Sequence, residues 1–194
     1  MPSTQYLLPI KEVKGGVIID KFGNFKGILA ASSVNFALMR PEEQQATVFQ
    51  FQNFLNSLDF PIQILVQSRK LNLLPYIEYL KELELKQETE LLRIQAQNYR
   101  EFIESLSQMV NLMTKYFYIV ISFRPTTIAK TLSEKEFERA KEQLYQRLYF
   151  VQNGLARCGI KCKILEDEEI LELLWMSFNP SEAEKGKIPR FPVV

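Results

Sequence analysis

The chain of 194 residues contains no histidine and only two cysteines, Cys158 and Cys162. Histidine is the commonest general base near neutral pH and a frequent zinc ligand, so its absence removes both roles. A small secreted protein built on disulfides would carry more cysteines. Because the two thiols have no further Cys or His beside them, the sequence predicts packed side chains rather than a metal or redox site.

Long hydrophobic runs are also missing. The longest uninterrupted apolar run, residues 116–121, is far shorter than the ~20 residues that span a bilayer. The first residues show no basic segment followed by an apolar one, so we expect no signal peptide. The sequence therefore predicts a cytoplasmic chain without a transmembrane segment, which can still sit at a membrane through a partner.

Neither sign of charge dominates, since 24 basic and 23 acidic residues give a net charge of +1. A dedicated nucleic-acid binder usually carries a basic surplus that neutralises phosphates. The charge balance therefore gives no strong nucleic-acid signal. Apolar residues make up 46% of the chain and charged residues 24%, which is ordinary for a folded globular domain.

The apolar pattern predicts an α+β fold, a mixed sheet with an amino-terminal β-hairpin and helices packed on it. The hairpin consists of strands 17–19 and 25–31 around a turn at 20–24, and further strands are expected at 62–68, 116–123 and 160–165. A helix from Pro41 to about Asp59 should bury an apolar face, in which Val48, Phe51, Leu55 and Leu58 recur at helical spacing with Phe54 beside them.

A later helix should begin with a capping box of Ser133 and Glu136 and end near Asn153-Gly154. A last helix is predicted over 166–178.

Residues 74–114 contain no glycine and no proline after Pro75, which predicts about 40 helical residues, or ~60 Å. The apolar stripe weakens at 86–90. One interpretation is a single bent helix, or two helices joined at 86–90, that covers the sheet. The other is a helix that projects and pairs with another subunit. The candidate interface residues on this stripe are Leu91, Ile94, Phe102 and Leu106.

No catalytic, cofactor-binding or metal-binding residue is predicted. The nearest approach to a phosphate-binding loop, GLARCGIKC at 154–162, places Ile160 before Lys161 and ends on Cys162 where Ser or Thr is required. It also lies between a helix and a strand, in the wrong order for such a loop. Acidic pairs such as Glu42-Glu43 lie at predicted helix starts, where the helix dipole favours them without any catalytic role.

A series of segments then resembles a known family. These are LPIKE at 8–12, GVII at 16–19, a return strand closing on S-x-N-F at 33–36, EEQ at 42–44 and NFLNSLDFPIQILVQSRKL at 53–71. The segments at 79–106 and 116–123 continue the likeness. Together they resemble the TraC-like amino-terminal domain of the conjugative ATPases of type IV secretion systems, over most of residues 5–178.

The resemblance implies a domain that precedes a RecA-like motor and holds that motor in its oligomer and against membrane partners. No catalytic residue of the motor can be assigned, because its motifs have no counterpart in this sequence. We expect a TraC-like domain over 1–178 and a tail or linker rich in proline and charge over 179–194. The expected partners are secretion proteins at the inner membrane, and self-association is a further option.

The function predicted on this basis is a non-catalytic assembly domain of a conjugative transfer apparatus. Two alternatives stay open. One is a nucleic-acid-binding adaptor, which a salt-dependent affinity for DNA would favour. The other is a small enzyme of unknown type, which would need a cleft with perturbed acidic groups.

Overall fold

A computed structural model describes residues 8–71, 73–109, 113–125 and 133–183, and for residues 107–109 it describes the backbone alone. The chain forms two compact units. Among the described residues, the first contains those up to Gln67 together with Tyr116–Trp175, and the second contains those of 68–115 and 176–183. Most of the tail expected at 179–194, from 184 onward, lies outside the described residues.

The described ranges contain six strands that form one sheet. They are β1 (Ile10–Lys14), β2 (Val17–Asp20), β3 (Phe25–Ala31), β4 (Ile62–Lys70), β5 (Met113–Phe123) and β6 (Cys162–Ile164). The same ranges contain six α-helices. They are α1 (Pro41–Asn56), α2 (Leu74–Leu85), α3 (Glu90–Met109), α4 (Glu134–Arg157), α5 (Asp167–Phe178) and the short α6 (Pro180–Ala183).

The sheet has the order β1-β2-β3-β5-β4, and β3 is its central strand. One edge of β3 pairs with β5 along its whole length, while the other edge is shared by β2 and β6. All pairings with a defined register are antiparallel. The α+β class is therefore confirmed, with an antiparallel sheet where a mixed one was expected, because the helical connections do not bring parallel strands together as neighbours.

Alternation along the strands divides the core between the two faces of the sheet. Phe25 and Leu29 of β3 point to the face covered by α4, where Leu144, Leu148 and Val151 are fully buried. On the opposite face, a second cluster packs side chains of β2, β3 and β5 against α5; its buried members are Ile18, Ile28, Tyr118, Leu165, Ile170 and Leu173. The sheet is thus a central layer with helices on both sides.

The structure adds a strand, β1, that the sequence analysis did not predict. It pairs with β2 through a two-residue loop, Gly15-Gly16, in which the φ angles are +61° and +75°. A tight turn of this kind requires positive φ at both positions, which glycine adopts without steric cost. The predicted hairpin of β2 and β3 is confirmed, and β1 extends it by one strand.

The long helical region predicted over 74–114 is divided into two helices, and its predicted end is wrong. The chain leaves α2 at Leu85 and enters α3 at Glu90, so the interpretation with two joined helices is the one observed. At 20 residues, α3 is about 30 Å long. Residues 113 and 114 already belong to β5, since the alternating strand pattern begins before the fully apolar segment.

The capping box of α4 is confirmed, because the Ser133 side chain accepts from the Glu136 backbone and Glu136 bonds back to Ser133. The predicted end of this helix is wrong. Gly154 lies inside α4, which continues to Arg157, and Gly159 with φ of +79° provides the left-handed residue after it. A side chain at Gly154 would collide with the ring of Phe54, so this glycine serves the contact between α1 and α4.

Candidate interface on the helical pair

Side chains cap both helix ends at the break between α2 and α3. Gln87 donates from Nε2 to the carbonyl oxygen of Leu83 at 3.0 Å, which satisfies an acceptor at the end of α2. The Thr89 hydroxyl accepts from the backbone nitrogen of Leu92 at 3.3 Å, as an N-cap residue does at a helix start. These bonds explain how two helices form here without a glycine or a proline between them.

Polar bonds link the two helices. The Arg100 side chain of α3 contacts Glu84 of α2 at 3.0 Å and Glu104 of its own helix at 2.9 Å. The hydrogen bond to Glu84 has the largest effect on the pKa of Arg100 and that to Glu104 the next largest, and both raise it above its ordinary value. The hydroxyl groups of Tyr76 and Tyr99 lie 3.3 Å apart, also between the two helices. These tyrosines therefore make helix–helix contacts.

The candidate interface residues lie away from this contact. Leu91 is 78% exposed, Phe102 is 56% exposed, Ile94 is 49% exposed and Leu106 is half-buried. At about 100° per residue, Leu91, Phe102 and Leu106 fall within about 60° of one another, with Ile94 about 60° beyond Leu91. The four residues therefore form one side of the helix, which we call the α3 apolar face.

The packing of α3 leaves much of its apolar surface in water. Among its described side chains, residues 90–106, none is fully buried. Each large apolar side chain removed from water contributes roughly 1.5–3 kcal/mol. Exposed apolar patches are typical of protein–protein contacts. The α3 apolar face, in which Gln95 and Asn98 lie between the apolar residues, exposes side chains of that kind.

The thiols occupy packed positions. Cys158 is buried at the end of α4, and Cys162 is half-buried against the α4-covered face of the sheet. Burial raises the pKa of both thiols above the ordinary value. The reactive thiolate is therefore disfavoured at neutral pH, as expected of packed side chains.

The segment that approaches a phosphate-binding loop, 154–162, consists of the last turn of α4, the connection at 158–161 and the first residue of β6. Its backbone N–H groups are already bonded within the chain. Those of Cys158 and Gly159 donate to Leu155 and Ala156, that of Ile160 donates to Leu155, and that of Lys161 donates to the Ser32 hydroxyl. A phosphate cradle needs such groups unbonded and convergent.

Acidic residues at the helix starts have structural partners. Asp167, the first residue of α5, accepts from the backbone nitrogens of Gly15 and Gly16. Glu169 bonds Lys163 at 2.6 Å, and this hydrogen bond lowers the pKa of Glu169. Within the described residues, no three His, Cys, Asp or Glu side chains come together as a metal site.

A second surface, on α1, was not predicted from the sequence. Val48 and Leu55, expected in the core, are exposed, while Phe54 is buried and Phe51 and Leu58 pack against the core. A groove of about 360 Å³ lies between α1 and the short 3-10 turn Phe36–Leu38. It is lined by Phe36, Pro41, Gln44, Gln45, Val48, Phe49 and Gln52. Periodicity locates a helix face but cannot tell a core from an interface.

The feature of the sequence that could have revealed this surface of α1 is the absence of charged residues. No charged residue occurs from Gln44 to Leu58, although an exposed helix normally carries lysine and glutamate on its outer side. The cores of protein–protein contacts are depleted in charged residues and enriched in aromatic ones.

The fold and these surfaces define an α+β domain with exposed apolar helix faces. Residues 11–180 match the family model described as the archaeal TraC-like domain. The chain therefore belongs to the archaeal TraC-like domain family, a domain type related to conjugation and secretion. A comparison with curated proteins finds none that matches the chain. No helix in the described part of the chain is long and apolar enough to cross a bilayer.

Proposed function

We propose that this domain is a non-catalytic assembly module of a conjugative or type IV secretion apparatus. Its role is to bind other components of the apparatus through the α3 apolar face. The observation that carries the proposal is the exposure of Leu91, Ile94 and Phe102 on one side of a helix that buries none of its described side chains. Membership of the TraC-like family supports the part of the proposal that concerns a conjugative or secretion apparatus.

The distribution of polar groups supports the non-catalytic part of the proposal. A catalytic acid or base has a perturbed pKa and a reacting partner in a cleft. Here the acidic groups at Asp167, Glu169 and Glu136 are engaged with backbone N–H groups or neighbouring side chains at helix starts. Their bonds stabilise the fold, which accounts for them without a reaction.

The partner is a protein with an apolar surface of its own, located at the cytoplasmic side of the inner membrane. Glu90 and Glu101 flank the α3 apolar face on one side, whereas Arg93 lies on the opposite side of the helix. An acidic flank selects a partner by orientation, while the apolar centre supplies the affinity. Membrane association of the domain follows from this contact and needs no segment inserted into the lipid.

Site-specific photocrosslinking in cells that carry the secretion genes tests the proposal. A photoreactive phenylalanine analogue replaces Leu91 or Phe102, and Gln97, on the polar side of α3, serves as the matched control position. We expect crosslinks to secretion components from the first two positions and none from the third. Equal products from all three positions, or none from Leu91 and Phe102, would overturn the proposal.

A measurement in solution separates an interface from ordinary core. The double change Leu91→Glu and Ile94→Glu should leave the circular dichroism spectrum unchanged, because both side chains are exposed. Loss of helical signal on substitution would show that the α3 apolar face belongs to the core. Salt-dependent binding of duplex DNA by the unmodified protein would instead favour the nucleic-acid adaptor.

A further inference from the structure

The turn between β2 and β3 presents an aromatic side chain to water. Phe22 stands at the apex of this turn, which spans 21–24, and its side chain is 72% exposed. No other aromatic side chain among the described residues is exposed to that extent. Such turns are normally built from polar residues and glycine. Since neither apolar cluster of the core includes the ring, the fold does not account for it.

Internal hydrogen bonds fix the position of this apex. The Asp20 carboxylate accepts from the backbone nitrogens of Phe22 and Asn24, at 2.9 Å and 2.8 Å, and from Nδ2 of Asn24 at 2.7 Å. The backbone nitrogen of Lys21 donates to the carbonyl oxygen of Pro9 at 2.8 Å, which attaches the turn to the residue before β1. The turn is therefore preformed, and a preformed site loses less conformational entropy on binding than one that must be ordered.

Three exposed cations lie just behind the apex. Lys21 directly precedes Phe22 in the chain. Arg124 follows the residue of β5 that pairs with the first residue of β3, so it lies level with the end of the turn. Lys11 lies in the bulge of β1, next to the strand position that pairs with Asp20. All three are exposed, and at about 3.3 Å per residue they lie within roughly 10 Å of the apex along the strand direction.

The acidic residues near the turn are buried or lie farther back. Asp20 is 4% exposed, and besides the bonds of the turn it pairs with Lys26 at 3.8 Å. Glu12 lies one step of the β1–β2 pairing behind Asp20. Glu134, at the start of α4, pairs with Lys14 at the other end of β1. In the described parts of β1, β2, β3 and β5, the exposed charges ahead of Glu12 are therefore all positive. We call this surface the basic tip; it consists of Lys11, Lys21, Phe22 and Arg124.

We infer that the basic tip binds the surface of a membrane that contains anionic lipids. The Phe22 ring enters the boundary between headgroups and acyl chains, and the cations behind it meet the phosphates of the headgroups. Interfacial membrane-binding segments bury apolar side chains about 5–10 Å into this boundary and keep lysine and arginine at the level of the headgroups. The ring at the apex and the cations up to roughly 10 Å behind it have the spacing that this depth requires.

Nucleic acid fits the basic tip less well. Single strands bind in grooves where several aromatic rings stack on successive bases, whereas the tip offers one ring on a projecting turn. A lipid surface supplies an apolar layer and phosphates together, and it needs no pocket shaped to the turn. The inference does not depend on the α3 apolar face, which belongs to the other compact unit. It adds a direct lipid contact to the protein contact proposed for α3.

Flotation of the full chain with lipid vesicles tests the inference. The vesicles contain phosphatidylcholine alone, or phosphatidylcholine and phosphatidylglycerol in equal parts. We expect binding to the mixed vesicles that weakens with added salt, and none to the neutral ones. Phe22→Ser should weaken binding about tenfold, and Lys21→Gln or Arg124→Gln roughly fivefold each. Phe49→Ser, at an exposed aromatic residue of α1, and Lys161→Gln, at an exposed lysine beyond the opposite end of β3, are the matched controls.

Tryptophan fluorescence locates the ring in the lipid. In Phe22→Trp, the emission should shift to shorter wavelength when mixed vesicles are added, because the indole leaves water. The unmodified protein, whose single tryptophan is Trp175, gives the background for this shift. Circular dichroism checks that each variant is folded.

Each outcome decides the inference. Absence of binding to mixed vesicles would overturn it, as would equal binding to neutral vesicles, binding that survives Phe22→Ser, or no shift in Phe22→Trp. Binding of single-stranded DNA that Phe22→Ser weakens, without binding to vesicles, would assign the basic tip to nucleic acid instead. Binding that only the changes at the tip weaken, together with the shift, would establish it. The vesicles contain no secretion protein, so the photocrosslinks at Leu91 report on the proposed function separately.

Discussion

The carboxylate of Asp167 lies 2.8 Å from the backbone nitrogen of Gly15, across 152 residues of sequence. Its other oxygen accepts from the nitrogen of Gly16. The hydroxyl of Tyr145 on α4 donates to the carbonyl oxygen of Gly15 at 3.1 Å. The β1–β2 turn is therefore bonded to helices on both sides of the sheet. These bonds attach the edge formed by β1 and β2 to α4 and α5.

Replacing Asp167 by Asn should destabilise the domain. The amide has one acceptor oxygen in place of two, so one glycine N–H would face an NH₂ group and lose its bond. We expect the free energy of unfolding to fall by about 1–3 kcal/mol, measured by urea denaturation. The neighbouring change Glu168→Gln, at an exposed position, is the control. A loss below about 0.5 kcal/mol, the range of ordinary surface changes, would contradict the structural role of Asp167.

Replacing Gly27 by Ala should introduce a collision between sheet and helix. A Cβ atom at this position would lie 2.6 Å from Cδ1 of Leu148 on α4. Overpacking of this kind costs roughly 1–3 kcal/mol. A double-mutant cycle with Leu148→Ala supplies the control, because the smaller side chain makes room for the new methyl group.

In that cycle the double variant should be more stable than the sum of the two single changes predicts, by about 0.5–3 kcal/mol. Additive effects would show that the two residues do not limit each other.

Stability should fall in acid partly through Asp20, which is only 4% exposed. Burial raises its pKa, but hydrogen bonds from Asn24 and Phe22 and the charge of Lys26 outweigh burial, so the folded pKa lies below the ordinary 3.8. A carboxyl group whose pKa is lower in the folded state stabilises the fold at pH values above its unfolded pKa. This stabilisation is lost as the pH falls through the folded pKa. The contribution should therefore begin to decline at about pH 4 and be lost as the pH falls through the lower folded pKa.

Asp20→Asn tests this dependence. The variant should lose about 1–3 kcal/mol at neutral pH, because the buried donors lose part of their acceptor. Its unfolding free energy should then change less between neutral and acid pH than that of the unmodified protein. Asp59→Asn, at an exposed aspartate, is the control. Equal acid slopes for the unmodified protein and Asp20→Asn would contradict the assignment.

The thiols should be dispensable and slow to react. Cys158→Ser combined with Cys162→Ala should leave the fold nearly intact, since serine retains a hydroxyl in reach of the Gly154 carbonyl that Cys158 contacts at 3.8 Å. In the unmodified protein, a thiol reagent followed by absorbance should react far more slowly in buffer than in urea, because burial raises both pKa values. Rapid reaction of Cys158 in the folded protein would contradict its burial.

Much of the fold could be predicted because local pattern and tertiary packing agree. The hairpin of β2 and β3, the strand β5 and the capped start of α4 all carry strong periodic or capping signals. β1 was missed because Ile10–Lys14 carries three charged residues and lies at the sheet edge, where alternation is weak. Its signal was the Gly15-Gly16 pair, which is typical of a two-residue hairpin loop.

The surfaces were harder to predict than the elements. The pattern that located Leu91 and Phe102 on a helix is the same pattern that a buried helix shows, and only the packing of α2 on α3 distinguishes the two cases. On α1, Val48 and Leu55 share their spacing with the core residue Phe54, so periodicity predicted burial for all three. Whether an apolar residue of a helix lies in the core or at the surface depends on which helices pack together. The local sequence of one helix does not determine that packing.

The isolated chain should neither bind nor hydrolyse ATP. In the segment 154–162, Gly154 is part of α4 and its missing side chain leaves room for Phe54, so it cannot form a loop around a phosphate. The backbone nitrogen of Lys161 donates to the Ser32 hydroxyl at 3.0 Å, so it is not available to a phosphate oxygen. Isothermal titration with ATP and magnesium should give no heat of binding, and phosphate release should not exceed that of buffer. Micromolar, magnesium-dependent binding that Lys161→Ala abolishes would contradict this prediction and reopen the enzyme alternative.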